Sequence, residues 1–402
     1  MPEEVLPYGR QVIDDDDIAA VVAALRADML TTGPLVARFE QAFADRVGAA
    51  YAVACNSGTA ALHLAVDALG IGPADAVVVP TLTFLATANC ARFCGADVIF
   101  ADVDPDTGLL TPATFSAALA RAQRRVRAVI PVHLAGQVGD LAAIRSQANA
   151  ADIAVIEDAC HALGTRYEAD PGSDSASVGA CAHSDLATFS FHPVKTIAVG
   201  EGGMVTTNDN ALATRMAEFR SHGMVRDAAR LSNAALAFDA DGTANPWYYE
   251  MPRIGYNYRV SDINCALGLS QLGKLDAFVA RRAALSARYD ELLGELAPSL
   301  RLPARTPRCT PGWHLYAARF DFAAIGRSRA QVMRALRAEG VGTQVHYLPV
   351  HRQPYYQRLY GDITLPGADA YYASTLSLPL FPAMRDDDVD RVCAAVRRVI
   401  GA

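Results

Sequence analysis

The sequence predicts an α/β protein: a three-layer α/β/α unit with a mostly parallel central sheet, followed by a smaller carboxyl-terminal α+β domain. Three observations carry this. Short β-rich runs alternate with helical patterns from Tyr51 to Thr207, and such alternation demands βαβ crossovers with helices on both faces of a sheet. The chain is 402 residues long, more than one domain usually holds. Hydrophobic residues make up 51% and charged residues 20%, which suits a large core and rules out a disordered chain. A large unit is expected over residues 1–260, including an amino-terminal helical arm. A linking helix and a small unit should occupy 261–402.

The elements follow in order. Asp14–Asp17 stand ahead of the apolar-periodic segment Ile18–Leu25, where carboxylates accept from free N–H groups and favour the helix dipole. Thr32-Gly33-Pro34 breaks the chain before a second helix, Leu35–Arg46. Strands are expected at Tyr51–Cys55, Ala76–Val79, Asp97–Phe100, Arg127–Val132 and Ile153–Ile156. Helices should separate them at Thr59–Leu69, Phe84–Phe93, Thr111–Arg124 and Asp140–Ala150. Two more strands, Leu186–Ser190 and Gly203–Thr207, bracket a glycine-bearing loop. Tyr167–His183 (with Asp170, Pro171, Gly172 and Ser173) and Asp239–Asn245 read as loop insertions that could shape a substrate mouth. One amphipathic helix from Ser261 to about Leu293 should link the units. The small unit then has a strand at His314–Phe322, a helix at Ser328–Glu339 and a terminal helix from Asp386.

Charge narrows the function. Basic residues number 36 and acidic residues 43, a net charge of −7, which argues against nucleic acid or an anionic membrane as partner. The start, MPEEVLPYGR, lacks a basic n-region and an apolar h-region. No run approaches the roughly 18 apolar residues of a membrane span. Eight cysteines form no CxxC pair, and the nine histidines show no metal spacing such as HExxH. A cytoplasmic protein without a metal is expected.

Of the 36 basic residues only Lys195 and Lys274 are lysines, so amine chemistry has two candidate positions. Lys274 lies inside the amphipathic helix and reads as a solvated-face residue. Lys195 follows a strand and precedes Gly200-Glu201-Gly202-Gly203, a loop whose glycines let backbone approach a ligand. A partly desolvated amine there suits Schiff-base chemistry; taken alone, it reads as readily as a surface-loop lysine. Ile153–Asp158 is an apolar run ending in two carboxylates, and an acid beside a pyridinium nitrogen is what pyridoxal phosphate needs. Asp158 as a turn or helix cap is the even alternative. Ser57-Gly58-Thr59 opens a helix, where free N–H groups bind anions, or simply caps it. Phe84 could stack on a flat ring or belong to the core. His161 could orient a cofactor or cap a helix. No GxxxxGK[ST] or GxGxxG is present.

Five segments together resemble one family. Asn56–Leu62, Glu157–Gly164, Phe189–Lys195, Gly200–Gly203 and Gly255–Arg259 look like the DegT/DnrJ/EryC1/StrS sugar aminotransferases, in that family's order and over nearly the whole chain. The resemblance implies a type I pyridoxal-phosphate fold. Lys195 would bind the cofactor covalently and move the proton between cofactor and substrate carbons. Asp158 would pair with the ring nitrogen, His161 would sit near the ring hydroxyl, and Phe84 would stack on the ring. Ser57, Gly58, Thr59 and Ser190 would hold the phosphate, joined by Asn257 from the partner subunit of a homodimer. A closer resemblance is to the branch that aminates UDP-4-keto-6-deoxy-hexosamines for pseudaminic acid. It is carried by Pro7–Gln11, Phe191–Lys195 and His346–Tyr356. It implies L-glutamate as amino donor, C4 of the nucleotide sugar as acceptor, and Tyr8, Thr32, Arg226, His346 and His351 as substrate contacts. For His346 and His351 a structural role is an equal alternative; Arg253 and Arg259 join Arg226 as candidate phosphate contacts. Another nucleotide 4-keto or 3-keto sugar is the nearest alternative acceptor. A non-catalytic regulator with this fold would not need Asp158, Ser190 and Lys195 together.

Overall fold

In the computed structural model, which describes residues 5–170 and 172–401, the chain opens with α1 (Asp15–Leu25) and α2 (Pro34–Val47). Asp14 caps α1: its carboxylate accepts from the Asp17 N–H, and the Asp17 carboxylate accepts from the Asp14 N–H, a reciprocal capping box. Pro34 takes the first turn of α2, where a missing N–H costs nothing. Then come β1 (Tyr51–Cys55), α3 (Gly58–Ala68), β2 (Asp75–Pro80), α4 (Leu85–Phe93), β3 (Asp97–Ala101), α5 (Pro112–Leu119), β4 (Arg125–Val129), α6 (Leu141–Ala150) and β5 (Ala154–Asp158). A hairpin of β6 (Arg166–Glu168) and β7 (Ser175–Ser177) leads to β8 (Leu186–Ser190), β9 (Gly203–Thr207), α7 (Asn210–Arg220) and the short α8 (Ala234–Ala237). The rest of the chain forms α9 (Asp262–Gly273), α10 (Leu275–Leu293), β10 (Leu300–Arg301), β11 (Cys309–Thr310), β12 (Tyr316–Phe320), α11 (Arg329–Ala338), α12 (Pro354–Tyr360), α13 (Pro366–Ser374), β13 (Thr375–Leu378) and α14 (Asp386–Ile400).

The central sheet has seven strands in the order β1-β9-β8-β5-β4-β2-β3. Only β9 runs antiparallel to its neighbours, so β1, β8, β5, β4 and β2 all end at the same edge. Helices cover both faces, and β2 is apolar and buried from Ala76 to Val79, as a strand covered twice must be. Among the described residues no helix is long and apolar enough to cross a membrane.

Four departures from the sequence reading have physical causes. The stretch 167–183 is partly the β6–β7 hairpin, whose β6 pairs with β11; such short strands depend on a partner about 140 residues away, outside any local signal. Pro171 lies outside the described residues, as do Met1–Glu4. The helix expected over Ser261–Leu293 breaks at Lys274, which closes α9 and opens α10; Gly273 weakens the helix there. Lys274 is not a merely solvated residue, because its ammonium pairs with Asp14 and with Asp17 at 2.9 Å. Finally, the small unit's core begins at Leu285, midway along α10, while α9 packs on α1 and α2. Tyr356, Leu365, Ala368 and Tyr371, around α12 and α13, join the core beneath β2 and β3. The carboxyl-terminal segment thus contributes to both units.

Candidate active site

A cavity of about 630 Å³ opens at the shared carboxyl edge of the sheet, the crevice where α/β folds bind ligands. Its floor and rim come from residues just past β1, β2, β4, β5 and β8. Ten residues singled out in the sequence line it: Tyr8, Ser57, Gly58, Thr59, Phe84, Asp158, His161, Ser190, Lys195 and His346.

One end is built to hold an anion. Ser57 caps α3, its Oγ accepting from the Ala60 N–H at 3.1 Å. The Ser190 Oγ accepts from the His192 N–H at 3.4 Å. Each hydroxyl therefore keeps its own O–H free to donate, beside the first N–H groups of α3. The two serines approach through glycines: a Cβ on Gly58 would stand 2.7 Å from the Ser190 Cβ, and one on Gly203 would stand 2.3 Å from the Ser57 carbonyl oxygen.

Asp158 ends β5 and is buried. Its Oδ2 accepts from the Thr87 hydroxyl at 2.6 Å, and Oδ1 accepts from the Cys160 N–H at 3.2 Å. Thr83 lies 2.7 Å from Thr87 and continues the chain of hydroxyls. The preceding carboxylate, Glu157, points the other way, as adjacent strand residues must. It accepts from Ser184 and pairs with His133 at 2.7 Å, away from the cavity. Lys195 is half-buried, and its Nζ has no hydrogen-bond partner among the described residues. Desolvation lowers its pKa, offset in part by Cys160 and Asp158, so its reactive free-amine form is favoured.

The wall shared by Phe84, His161 and the segment 344–347 is aromatic and polar but uncharged. His161 accepts weakly from the Ala135 N–H at Nδ1 (3.4 Å), which leaves Nε2–H to donate to the Tyr347 hydroxyl at 2.9 Å. His346 meets the Ser377 hydroxyl at 2.8 Å. Burial, reinforced by the Lys195 charge, holds His161 well below its ordinary pKa and His346 at about 3, so both stay neutral at physiological pH. Phe84 is 57% exposed and faces the Tyr347 ring at 6.2 Å. An aromatic left so bare inside a cavity is no core residue, and its face is free to stack on a flat ligand.

The remaining candidates sit elsewhere. Asn257 is exposed outside its own chain's cavity, its carbonyl accepting from Asn56. Thr32 is exposed and bonds to its neighbour's carbonyl. Arg226 lies over the Tyr249 ring at 5.7 Å, and Arg253 pairs with Asp67. His351 is buried outside the cavity lining, 2.7 Å from the Thr81 hydroxyl and against Phe100. Among the described residues, none of 167–183 or 239–245 lines the cavity. Conversely, the sequence reading assigns no role to Thr87, Cys160, His314, Gln344 or Tyr347, all in the lining. Thr87 has a weak local signal, lying four residues after Thr83, and Cys160 follows Asp158 by two; the others are brought in by tertiary contact.

An anion cradle, a buried hydrogen-bonded carboxylate, a desolvated amine and a bare aromatic ring match pyridoxal phosphate part for part. The glycine approaches at Ser190 and Ser57 are what its phosphate end requires. Comparison with known proteins agrees. The model of the DegT/DnrJ/EryC1/StrS aminotransferase family matches residues 11–397. The spore coat polysaccharide biosynthesis protein SpsC of Bacillus subtilis is 40% identical over 398 residues, covering 98% of this chain and 97% of its own. Helicobacter pylori PseC, an aminotransferase in the biosynthesis of pseudaminic acid, superposes with a TM-score of 0.87 at 25% identity, covering 99% and 100% of the two chains. Spr1654 from Streptococcus pneumoniae, solved in its PLP form, superposes with a TM-score of 0.85 at 26% identity over 99% of both chains; its PMP form is as similar. The chain belongs to the DegT/DnrJ/EryC1/StrS aminotransferase family, and it is a sugar aminotransferase that works with pyridoxal phosphate.

Proposed function

We propose that the protein moves the amino group of L-glutamate to C4 of a UDP-4-keto-6-deoxy-N-acetyl-hexosamine of the L-altrosamine type. The observation that carries this reading is the cavity itself. Lys195 and Asp158 line one end, and Tyr8, His346 and Tyr347 line an uncharged, hydrogen-bonding wall beside them. A sugar ring needs such a wall: many hydroxyl partners, no fixed charge. The likeness to PseC supports the substrate class, since PseC serves pseudaminic acid biosynthesis.

The chemistry pyridoxal phosphate supplies in such a site is electron withdrawal through its protonated ring from the carbon that carries the amino group. The protein does the rest. Lys195 takes the proton from the donor's α carbon and later delivers one to C4 of the acceptor sugar. Its lowered pKa suits that double duty, because a base works best when its pKa lies near the working pH. Asp158, fixed by Thr87 and the Cys160 N–H, holds the ring nitrogen in its protonated form. Ser57, Gly58, Thr59 and Ser190 anchor the phosphate, Phe84 covers one ring face, and His161 serves the ring hydroxyl.

A panel of UDP-, dTDP- and GDP-4-keto sugars with L-glutamate, read by product mass, tests the acceptor. The UDP-4-keto-6-deoxy-hexosamine should gain nitrogen fastest. Preference for a dTDP or GDP sugar would overturn the substrate assignment while leaving the aminotransferase intact.

The site also belongs to a homodimer in this reading. Asn257 is exposed, and in the sequence stretch before it Trp247, Met251, Ile254 and Tyr256 are exposed as well, apolar surface that a second copy would cover. Asn257 would then reach the phosphate end of the partner's cavity. Mixing inactive Lys195→Ala and Asn257→Ala proteins should restore part of the activity, because a hybrid dimer assembles one intact site. No recovery after verified subunit exchange would remove Asn257 from the partner's site.

A further inference from the structure

His314 lies two residues before β12 and lines the cavity at its Lys195 end. The side chain is buried, yet it makes no hydrogen bond to any described residue. Nδ1 is enclosed without a partner, and Nε2 is the nitrogen left open to the cavity. Its ring centroid is 4.3 Å from that of His161. Of the two neighbouring histidines, His161 is bonded at both nitrogens, to Ala135 and Tyr347, and His346 at Nδ1, to Ser377. A neutral imidazole carries one donor and one acceptor, and buried groups of this kind are normally paired. His314 is the member of the trio with neither ring nitrogen bonded to a described residue.

The backbone beside it is held with unusual care. Arg282, on α10, is fully buried with no carboxylate partner among the described residues. Through Nη1 it donates to the carbonyls of Trp313 (3.3 Å), His314 (3.3 Å) and Leu380 (2.9 Å). Its Nε and the other terminal nitrogen have no partner among the described residues. Burial pushes its pKa down to about 10, so it remains a cation at neutral pH. A buried cation without a counter-charge is costly, and what this one secures is the segment that carries His314 into the cavity.

We infer that His314 is a further active-site residue, a neutral imidazole that hydrogen-bonds through Nε2 to the molecule held at Lys195, and that Arg282 is its positioning residue. The inference rests on the reading of Lys195 as the cofactor-bearing lysine. It requires the small unit to close one side of the reacting centre, with α10 setting the position of the closing group. The charged or titratable groups facing His314 are His161, Lys195, Arg282 and His346.

The test uses pyridoxal phosphate and L-glutamate, so it does not depend on the acceptor sugar. Wild type, His314→Leu, His314→Gln and Arg282→Met holoenzymes, checked for folding by circular dichroism, are titrated with pH while the visible cofactor band is followed. Each is then mixed with L-glutamate, and conversion of the PLP form to the PMP form is timed. His314→Leu should shift the titration midpoint and slow conversion on the order of 10²-fold, the usual cost of removing one positioned hydrogen-bonding group from an active site. His314→Gln, whose amide reaches the Nε2 position, should recover most of both. A folded Arg282→Met should shift the midpoint in the same direction by less. A His314→Leu protein with wild-type midpoint and rate would overturn the inference, and so would a Leu effect that Gln leaves uncorrected, since that marks lost packing. Wild type lacking any Lys195-dependent visible band would instead defeat the parent reading.

Discussion

Lys195→Ala should bind pyridoxal phosphate only reversibly and lose amino transfer altogether. Loss of a general acid–base group alone costs about 10²–10⁴-fold, and the same residue also anchors the cofactor. Borohydride treatment of the wild-type holoenzyme should bleach the visible band and leave the reduced adduct on Lys195, located by peptide mass. An adduct on Lys274 would sink the assignment, and so would normal turnover by the alanine variant. Lys274 has no means of substituting: its ammonium is committed to Asp14 and Asp17, far along the chain from the cavity's motifs. The fold should survive the change. Desolvation already disfavours the charged form of Lys195, so the side chain costs stability in the folded state, and its removal should leave the melting temperature unchanged or slightly raised. Active-site groups commonly carry this trade of stability for function.

Asp158→Asn should be nearly as damaging for a different reason. Asparagine keeps the shape, its oxygen accepting from the Cys160 N–H and its NH2 donating to the Thr87 hydroxyl in place of the carboxylate's second acceptor, but it carries no negative charge to hold a ring nitrogen protonated. Losing one partner of a buried, hydrogen-bonded charge pair costs about 2–5 kcal/mol, a fall of roughly 30- to several-thousand-fold in rate. Single-turnover conversion with L-glutamate measures it directly. The cofactor should still bind, since the phosphate cradle and Lys195 are untouched. A variant with wild-type conversion would show that Asp158 does no more than cap its strand. Thr87→Val should lie between, because it removes one of the two hydrogen bonds that orient the carboxylate.

Much of the large unit is legible in the amino-acid sequence. Its βα pairs show themselves through apolar runs of strand length separated by capped helical patterns, because a sheet buried on both faces leaves its strands almost wholly apolar. The anion cradle, the acid at the end of β5 and the lysine after β8 are legible for the same reason: each is a local motif at a strand's carboxyl end. Whatever is held by a distant partner is not legible there. β6 and β7 are three residues each and depend on β11. α12 and α13 lie late in the chain but pack beneath β2 and β3. His351 sits in a segment that reads as substrate-facing, yet the Thr81 hydroxyl and Phe100 hold it outside the cavity lining.

The sequence alone determined the sheet's alternating build and the one lysine positioned for amine chemistry, because strand period, capping and glycine-bearing turns act over a few residues. Tertiary structure decided which of two adjacent carboxylates faces the cavity, which histidines are satisfied by neighbours, and that His314 is not. Those outcomes depend on contacts between residues tens to hundreds of positions apart, where burial and hydrogen-bond completion, rather than local propensity, set the result.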